Sequence, residues 1–118
     1  MTPTDAAIEQ LSISEEQALA LSRAAIILDQ SRQGPENKGA LTAALNENLE
    51  VWVAIKTIVE QPESDLPETV KQNLVRLSNF VADVTFKSAE GISEQTIDTL
   101  ININLQISEG LLEGAART

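Results

Sequence analysis

The sequence predicts an all-α protein, a small single-domain helical bundle of about four main helices. Its 118 residues fit one domain with one hydrophobic core. Hydrophobic residues make up 42% of the chain and aromatic residues only 3%, so the core must be built from aliphatic side chains. Apolar residues recur at helical spacing in four segments, which glycine and proline separate. The predicted bundle domain covers residues 14–113, and residues 1–13 form an N-terminal tail or a short extra helix.

The first two predicted helices are bounded by sequence signals that start or stop a helix. The first opens with the capping-box pattern Ser14-x-x-Gln17 and stops before Gly34-Pro35, and the second stops before Pro62. The four predicted helices span about residues 14–33, 37 or 38 to 60, 65–88 and 93–112.

The last two predicted helices have capping signals of their own. The third begins near Asp65, because Asp65-x-x-Glu68 resembles a capping box and Pro67 suits a first helical turn. Ser93 is the predicted N-cap of the fourth helix. Four helices joined by short links favour antiparallel packing of neighbours.

The apolar stripes of these helices are read at about 100° per residue. The stripe of the second helix consists of Leu41, Leu45, Asn48, Trp52, Ile55 and Val59. That of the third consists of Val70, Leu74, Leu77, Val81 and Val84. The fourth helix has a broader apolar arc, made of Ile97, Leu100, Ile101, Leu105, Ile107, Leu111 and Leu112. An arc of this breadth indicates a helix that is contacted from several sides.

Polar side chains interrupt two of these stripes. Asn48 lies one turn before Trp52, and Asn104 lies one turn before Ser108. Buried amides need hydrogen-bond partners. We therefore expect a structural polar core of Asn48, Asn104 and Ser108, in which the amides bond each other, a backbone carbonyl or a water and fix the helix register. Direct contact of these residues with a partner protein is the alternative.

Charge and composition exclude several classes of function. Acidic residues number 18 against 8 basic ones, a net charge of -10, which disfavours nucleic acid and anionic membranes as partners. Without cysteine or histidine, the chain has no disulfide, no thiolate chemistry and no structural zinc site. The sequence shows no signal peptide and no apolar run of about 18 residues, so we expect a cytoplasmic protein.

One carboxylate pair raises the question of catalysis. Glu47-x-x-Glu50 has the spacing seen in all-helical magnesium-dependent nucleotide phosphohydrolases. Such a site needs both carboxylates on the inner face, but Glu50 falls opposite the apolar stripe of its helix. We therefore predict no enzyme, no catalytic or metal-binding residue and no cofactor. The phosphohydrolase remains an alternative, and a self-associating helical interaction module is another.

Some apolar residues are left over after the main stripes are assigned. On the third helix Val75, Ala82 and Phe86, with the polar Asn79 between them, fall roughly opposite the core stripe. On the first helix Leu19 and Ile26 fall off the main apolar face. A row of apolar residues at helical spacing marks a surface for a partner protein. The alternative is that another part of the chain, such as the N-terminal tail, covers it.

The order of motifs resembles the flagellar-biosynthesis regulator FlaF family. The resemblance extends over about residues 15–112. Its landmarks are Ala44-Leu45-x-x-Asn48-x-x-x-Trp52, then Leu66-Pro67, then Asn73-Leu74-x-x-Leu77-Ser78-x-Phe80-Val81 and Thr85, then Leu100-Ile101-x-Ile103-Asn104-x-x-Ile107-Ser108-x-Gly110-Leu111.

This resemblance implies a bacterial cytoplasmic protein that controls flagellin. Members of the family are associated with flagellin synthesis and secretion and act beside a second regulator, FlbT. The implied function is a non-catalytic regulator that binds flagellin and supports its synthesis and export in a chaperone-like manner. Flagellin, and FlbT beside it, are the partners that follow. Oligomeric state does not follow from the sequence.

Overall fold

The computed structural model describes the backbone of residues 4–33, 38–64 and 66–116, and the side chains of residues 15–33, 39–64 and 66–113. It contains four α-helices and a short 3₁₀ turn: α1 Thr4–Ser31, α2 Lys38–Val59, α3 Glu68–Lys87, the turn Ser88–Glu90, and α4 Glu94–Ala116. No strand occurs within these ranges. The predicted all-α bundle is therefore confirmed.

The start of α1 is the main difference in helix boundaries. The helix begins at Thr4, so the predicted start at Ser14 is wrong and Ser14 lies inside the helix. Because residues 4–13 contain neither glycine nor proline, the helix continues through them without a break. Asp65, the predicted cap of the third helix, lies outside the described residues.

The start of α4 follows the predicted capping signal. Gly91 has a φ of 116°, in the region that only glycine adopts without strain, and it redirects the chain after the 3₁₀ turn. Ser93 then accepts a hydrogen bond at its Oγ from the backbone N–H of Thr96, at 3.1 Å. This bond satisfies one of the free N–H groups of the first turn and confirms Ser93 as the N-cap.

The helices form an elongated bundle of 55 × 23 × 18 Å. α1 packs along both α4 and α2, and its contact with α4 is the more extensive. Among the described residues, α3 packs mainly against α2. α1 and α4 are antiparallel, since Ser108 bonds to Ala18 near one end of the pair and Asp98 to Arg32 near the other. The spatial order is therefore α3, α2, α1, α4.

The core is aliphatic around one tryptophan, as the composition indicates. Trp52 has no exposed surface, and the other fully buried large apolar side chains are Leu21, Leu28, Val81 and Leu100. The predicted stripe of α2 is buried from Leu45 to Val59, and Leu41 is half-buried. Close packing of such side chains supplies most of the stability of a bundle of this size.

The buried face of α3 is turned by about 50° from the predicted one, reckoned at 100° per residue. Its buried residues are Leu74, Ser78, Val81 and Thr85. Val70, predicted to be core, is exposed, and Leu77 and Val84 are half-buried. The small side chain of Ser78 lets α3 approach α2 closely. Its Oγ donates to the carbonyl oxygen of Leu74 in its own helix at 2.9 Å and to that of Trp52 on α2 at 3.3 Å.

Candidate partner-binding surfaces

A hydrogen-bonded polar network crosses the middle of the bundle. Asn104 on α4 donates from Nδ2 to the amide oxygen of Asn48 at 2.6 Å and to the carbonyl oxygen of Leu21 at 3.1 Å. Its Oδ1 accepts from the indole Nε1–H of Trp52 at 2.9 Å. Asn48 and Asn104 are completely buried. The side chain of Asn104 thus connects α4 to both α1 and α2 at one level of the bundle.

A second polar contact ties α1 to α4 one turn further along. Ser108 is buried, and its Oγ donates to the carbonyl oxygen of Ala18 at 2.8 Å and lies 2.7 Å from the hydroxyl of Ser22. Neither this contact nor the network around Asn104 includes a titratable side chain. Their geometry suits the fixing of helix register rather than proton transfer.

Two buried polar atoms have no hydrogen-bond partner among the described residues. They are the amide nitrogen Nδ2 of Asn48 and the hydroxyl Oγ1 of Thr85. An unpaired buried polar group costs about 1–3 kcal/mol. The Asn48 side chain is therefore less well satisfied than that of Asn104, which uses both its nitrogen and its oxygen.

An ion pair connects the end of α1 to the start of α4. The guanidinium of Arg32 donates to Asp29 at 2.8 and 3.0 Å and also to Asp98 on α4. The hydrogen bond with Asp98, followed by that with Asp29, raises the pKa of Arg32 above its ordinary value. The sequence analysis missed this cluster, because Arg32 and Asp98 are 66 residues apart and share no motif.

The residues predicted for partner contact on α3 differ in exposure. Phe86 is 86% exposed, while Ala82 is half-buried and Val75 packs against the core. Asn79 is exposed, and its Oδ1 accepts a hydrogen bond from Lys56 of α2 at 2.9 Å. The rotation of α3 described above explains the pattern, since it turns Val75 and Ala82 towards α2. Val75 is therefore less available to a partner than the sequence pattern predicts.

The predicted pair on α1 flanks Ser22, a residue that contacts α4, at i−3 and i+4. Leu19 is 70% exposed, and Ile26 is also exposed. Two leucines of α4, Leu105 and Leu112, are exposed and line a shallow groove between the helices. We call this feature the α1–α4 groove; its lining residues are Ser22, Leu105, Ser108, Glu109, Leu112 and Glu113. The breadth of the apolar arc on α4 was the sequence signal for this surface.

The carboxylate pair considered for catalysis lies on the surface of α2. Glu47 and Glu50 are both exposed. Glu47 and Glu50 therefore do not lie on the inner face on which the phosphohydrolase alternative places them. Within the described part of the chain, no group of three or more acidic, histidine or cysteine side chains is arranged so that it could hold a metal ion. Among the described helices, none is both long and apolar enough to cross a bilayer.

Comparison with known proteins identifies the family. The family model for the flagellar protein FlaF matches residues 5–111. No curated protein gives a significant match. No solved structure does so either. The matched residues include the polar network, the exposed face of α3 and all of the α1–α4 groove except Leu112 and Glu113, and on this match the chain belongs to the FlaF family of flagellar proteins.

Proposed function

We propose that this protein is a non-catalytic, cytoplasmic regulator of flagellum biosynthesis that binds flagellin and supports its synthesis and export in a chaperone-like manner. Membership of the FlaF family supports the flagellar role. The observation that carries the binding role is the set of large apolar side chains left exposed after the core is filled, with Phe86 the most exposed at 86%. Apolar side chains grouped on a surface mark sites of protein contact.

The structure supports this proposal through its surface chemistry. The end segments of flagellin are amphipathic helices whose apolar faces lack a partner before assembly. An aliphatic helical surface covers such a face by packing a helix into a groove. The net charge of -10 favours solubility of the complex and steers a positively charged segment towards it.

The residues proposed for this contact are Phe86 as the main anchor, with Ala82, Asn79 and the exposed edge of Val75 beside it. Full burial of a phenylalanine side chain contributes about 1.5–3 kcal/mol relative to leaving it in water. FlbT is the second partner that we propose, and the family alone supports it. The exposure of Glu47 and Glu50 supports the non-catalytic part of the proposal.

The test is a titration of the purified protein with flagellin from the same organism. We expect binding of the wild-type protein, and a loss of at least about tenfold in affinity for Phe86→Asp. Because Phe86 is almost fully exposed, the variant should keep its helix content and its unfolding midpoint. Val53→Asp is the matched control, since Val53 is a 53% exposed apolar residue on α2.

Two results would count against the proposal. If the wild-type protein does not bind flagellin more tightly than about 100 μM, the flagellin-binding role is wrong. If Phe86→Asp unfolds the protein, Phe86 serves folding and its assignment to a docking surface is wrong.

A further inference from the structure

Four large aliphatic side chains are exposed on α1 and α4 at the α1–α4 groove: Leu105 and Leu112 line it, and Leu19 and Ile26 flank its lining residue Ser22 at i−3 and i+4. Leu19 and Ile26 of α1 are seven residues apart, and so are Leu105 and Leu112 of α4. Seven residues make about two helical turns, so each pair lies on one face of its helix, about 10 Å apart along the axis. All four side chains are exposed, although each is of a type that usually lies in a core.

Each pair flanks one of the two serines that join the helices, at i−3 and i+4: Leu19 and Ile26 flank Ser22, and Leu105 and Leu112 flank Ser108. The Oγ atoms of Ser22 and Ser108 are 2.7 Å apart, which fixes the antiparallel register of α1 and α4 at this level. In this register Leu112 lies near the level of Leu19, and Leu105 lies near that of Ile26. The leucines and the isoleucine thus form a two-sided apolar row, long enough for two to three turns of a docked helix.

Charges are distributed unequally along this row. Glu109 and Glu113 line the groove, and Glu15 is exposed on α1 at the same end. Arg23, an exposed basic residue of α1, lies about one turn further from that end than Leu19, between Leu19 and Ile26. A docked helix is therefore favoured when its basic residues lie at the glutamate end. A second copy of this chain, with its own charge of -10, is disfavoured by repulsion.

We propose that the α1–α4 groove binds an amphipathic helix of a partner protein that carries an aliphatic stripe and Lys or Arg residues at one end. The inference deepens the proposed function and rests on it for the natural source of this helix, an end segment of flagellin. It adds a second contact surface, on the α1–α4 side of the bundle, to the one around Phe86. The apolar row supplies affinity, and the glutamates set the orientation.

The groove is tested directly with two synthetic amphipathic peptides. Both carry the same leucine stripe, but one has lysines at one end where the other has glutamates. We expect the lysine peptide to bind at least about tenfold more tightly in fluorescence polarisation, and to lose this advantage as salt is added. Reversing the charge of the groove with Glu109→Lys and Glu113→Lys together should reverse the preference.

Substitutions in the groove test the apolar row. Leu19→Gln and Leu105→Gln should each lower the affinity for the lysine peptide by about tenfold. Val53→Gln on α2 should leave this affinity unchanged. Leu19 is 70% exposed and Leu105 45%, so at least the first variant should keep the wild-type circular dichroism and unfolding midpoint. Equal binding of the two peptides, or wild-type affinity in both groove variants, would overturn the proposal. So would a dimer of the wild-type protein that Leu105→Gln dissociates, since a second copy would then occupy the groove.

The same variants separate this inference from the proposed function. If flagellin binding is lost in Phe86→Asp but is unaffected by Leu19→Gln and Leu105→Gln, the groove assignment is wrong and the proposed function stands. If flagellin does not bind at all but the lysine peptide binds in the groove, the groove assignment stands and the proposed function is wrong.

Discussion

Replacing Asn104 by leucine should destabilise the protein more than the same replacement of Asn48, its partner in the polar network. Leucine keeps the branch at Cγ but removes three hydrogen bonds, to Asn48, Leu21 and Trp52. Two buried groups, the indole N–H of Trp52 and the amide oxygen of Asn48, then lose their partner, at about 1–3 kcal/mol each. The apolar surface that leucine buries in place of the amide offsets about 1–2 kcal/mol of this cost. We therefore expect the free energy of unfolding to fall by about 3 kcal/mol.

The matched substitution is Asn48→Leu, which makes the same chemical change one helix away. It removes a single hydrogen bond, and it also removes the amide nitrogen that has no partner among the described residues. The nitrogen of Asn104 keeps its bond to the carbonyl of Leu21. We therefore expect Asn48→Leu to change the free energy of unfolding by no more than about 1 kcal/mol.

Urea denaturation followed by the fluorescence of Trp52, the only tryptophan of the chain, measures both variants. The midpoint of Asn104→Leu should fall by about 1–2 M, with an unchanged dependence of the free energy on urea concentration. A far-ultraviolet circular dichroism transition at the same urea concentration is the control for two-state unfolding. If Asn48→Leu proves as destabilising as Asn104→Leu, the assignment of Asn104 as the centre of the network is wrong.

Two further predictions concern the connection between α3 and α4, and denaturation midpoints check both. Gly91→Ala should lower the free energy of unfolding by about 1–3 kcal/mol, because a residue with a side chain is strained at a φ of 116°. A Cβ at this position would meet no described atom within 4 Å, so the cost comes from the backbone alone. An unchanged midpoint would show that the loop relaxes freely. Ser93→Ala should cost about 1 kcal/mol through loss of the cap to the N–H of Thr96, and Ser93→Asp should restore most of it. Equal stability of Ser93→Ala and the wild-type protein would contradict the capping role.

The fold was predictable from sequence because apolar periodicity and helix-breaking residues such as glycine and proline determine helices through local interactions. The stripe from Leu45 to Val59 is buried as its spacing predicts, and Ser93 caps α4 as its position predicts. The start of α1 was not predictable in the same way. The capping box at Ser14 is a local preference worth about 1 kcal/mol, and a helix that can continue through Ala and Leu overrides it.

The candidate surfaces were predictable only in part. A helical wheel assigns core positions by hydrophobicity, so it predicts that Val70 rather than Ser78 is buried. In the structure the small hydroxyl residue faces α2 and the valine is exposed, because close approach of two helices depends on side-chain volume and hydrogen bonding as well as on hydrophobicity. Leu105 was placed in a broad apolar arc, but the groove beside it depends on the register of α1 and α4, which no local pattern encodes.

The Asn104 network also bears on how the protein is made. The indole of Trp52 finds its acceptor 52 residues later in the chain, and the carbonyl of Leu21 is bonded by a side chain 83 residues later. A nascent chain that has released only α1, α2 and α3 from the ribosome therefore carries a buried stripe with its polar groups unmatched and its longest helix without its main neighbour. Translation of α4 completes the core, so the newly made protein reaches its final fold only after that helix has emerged.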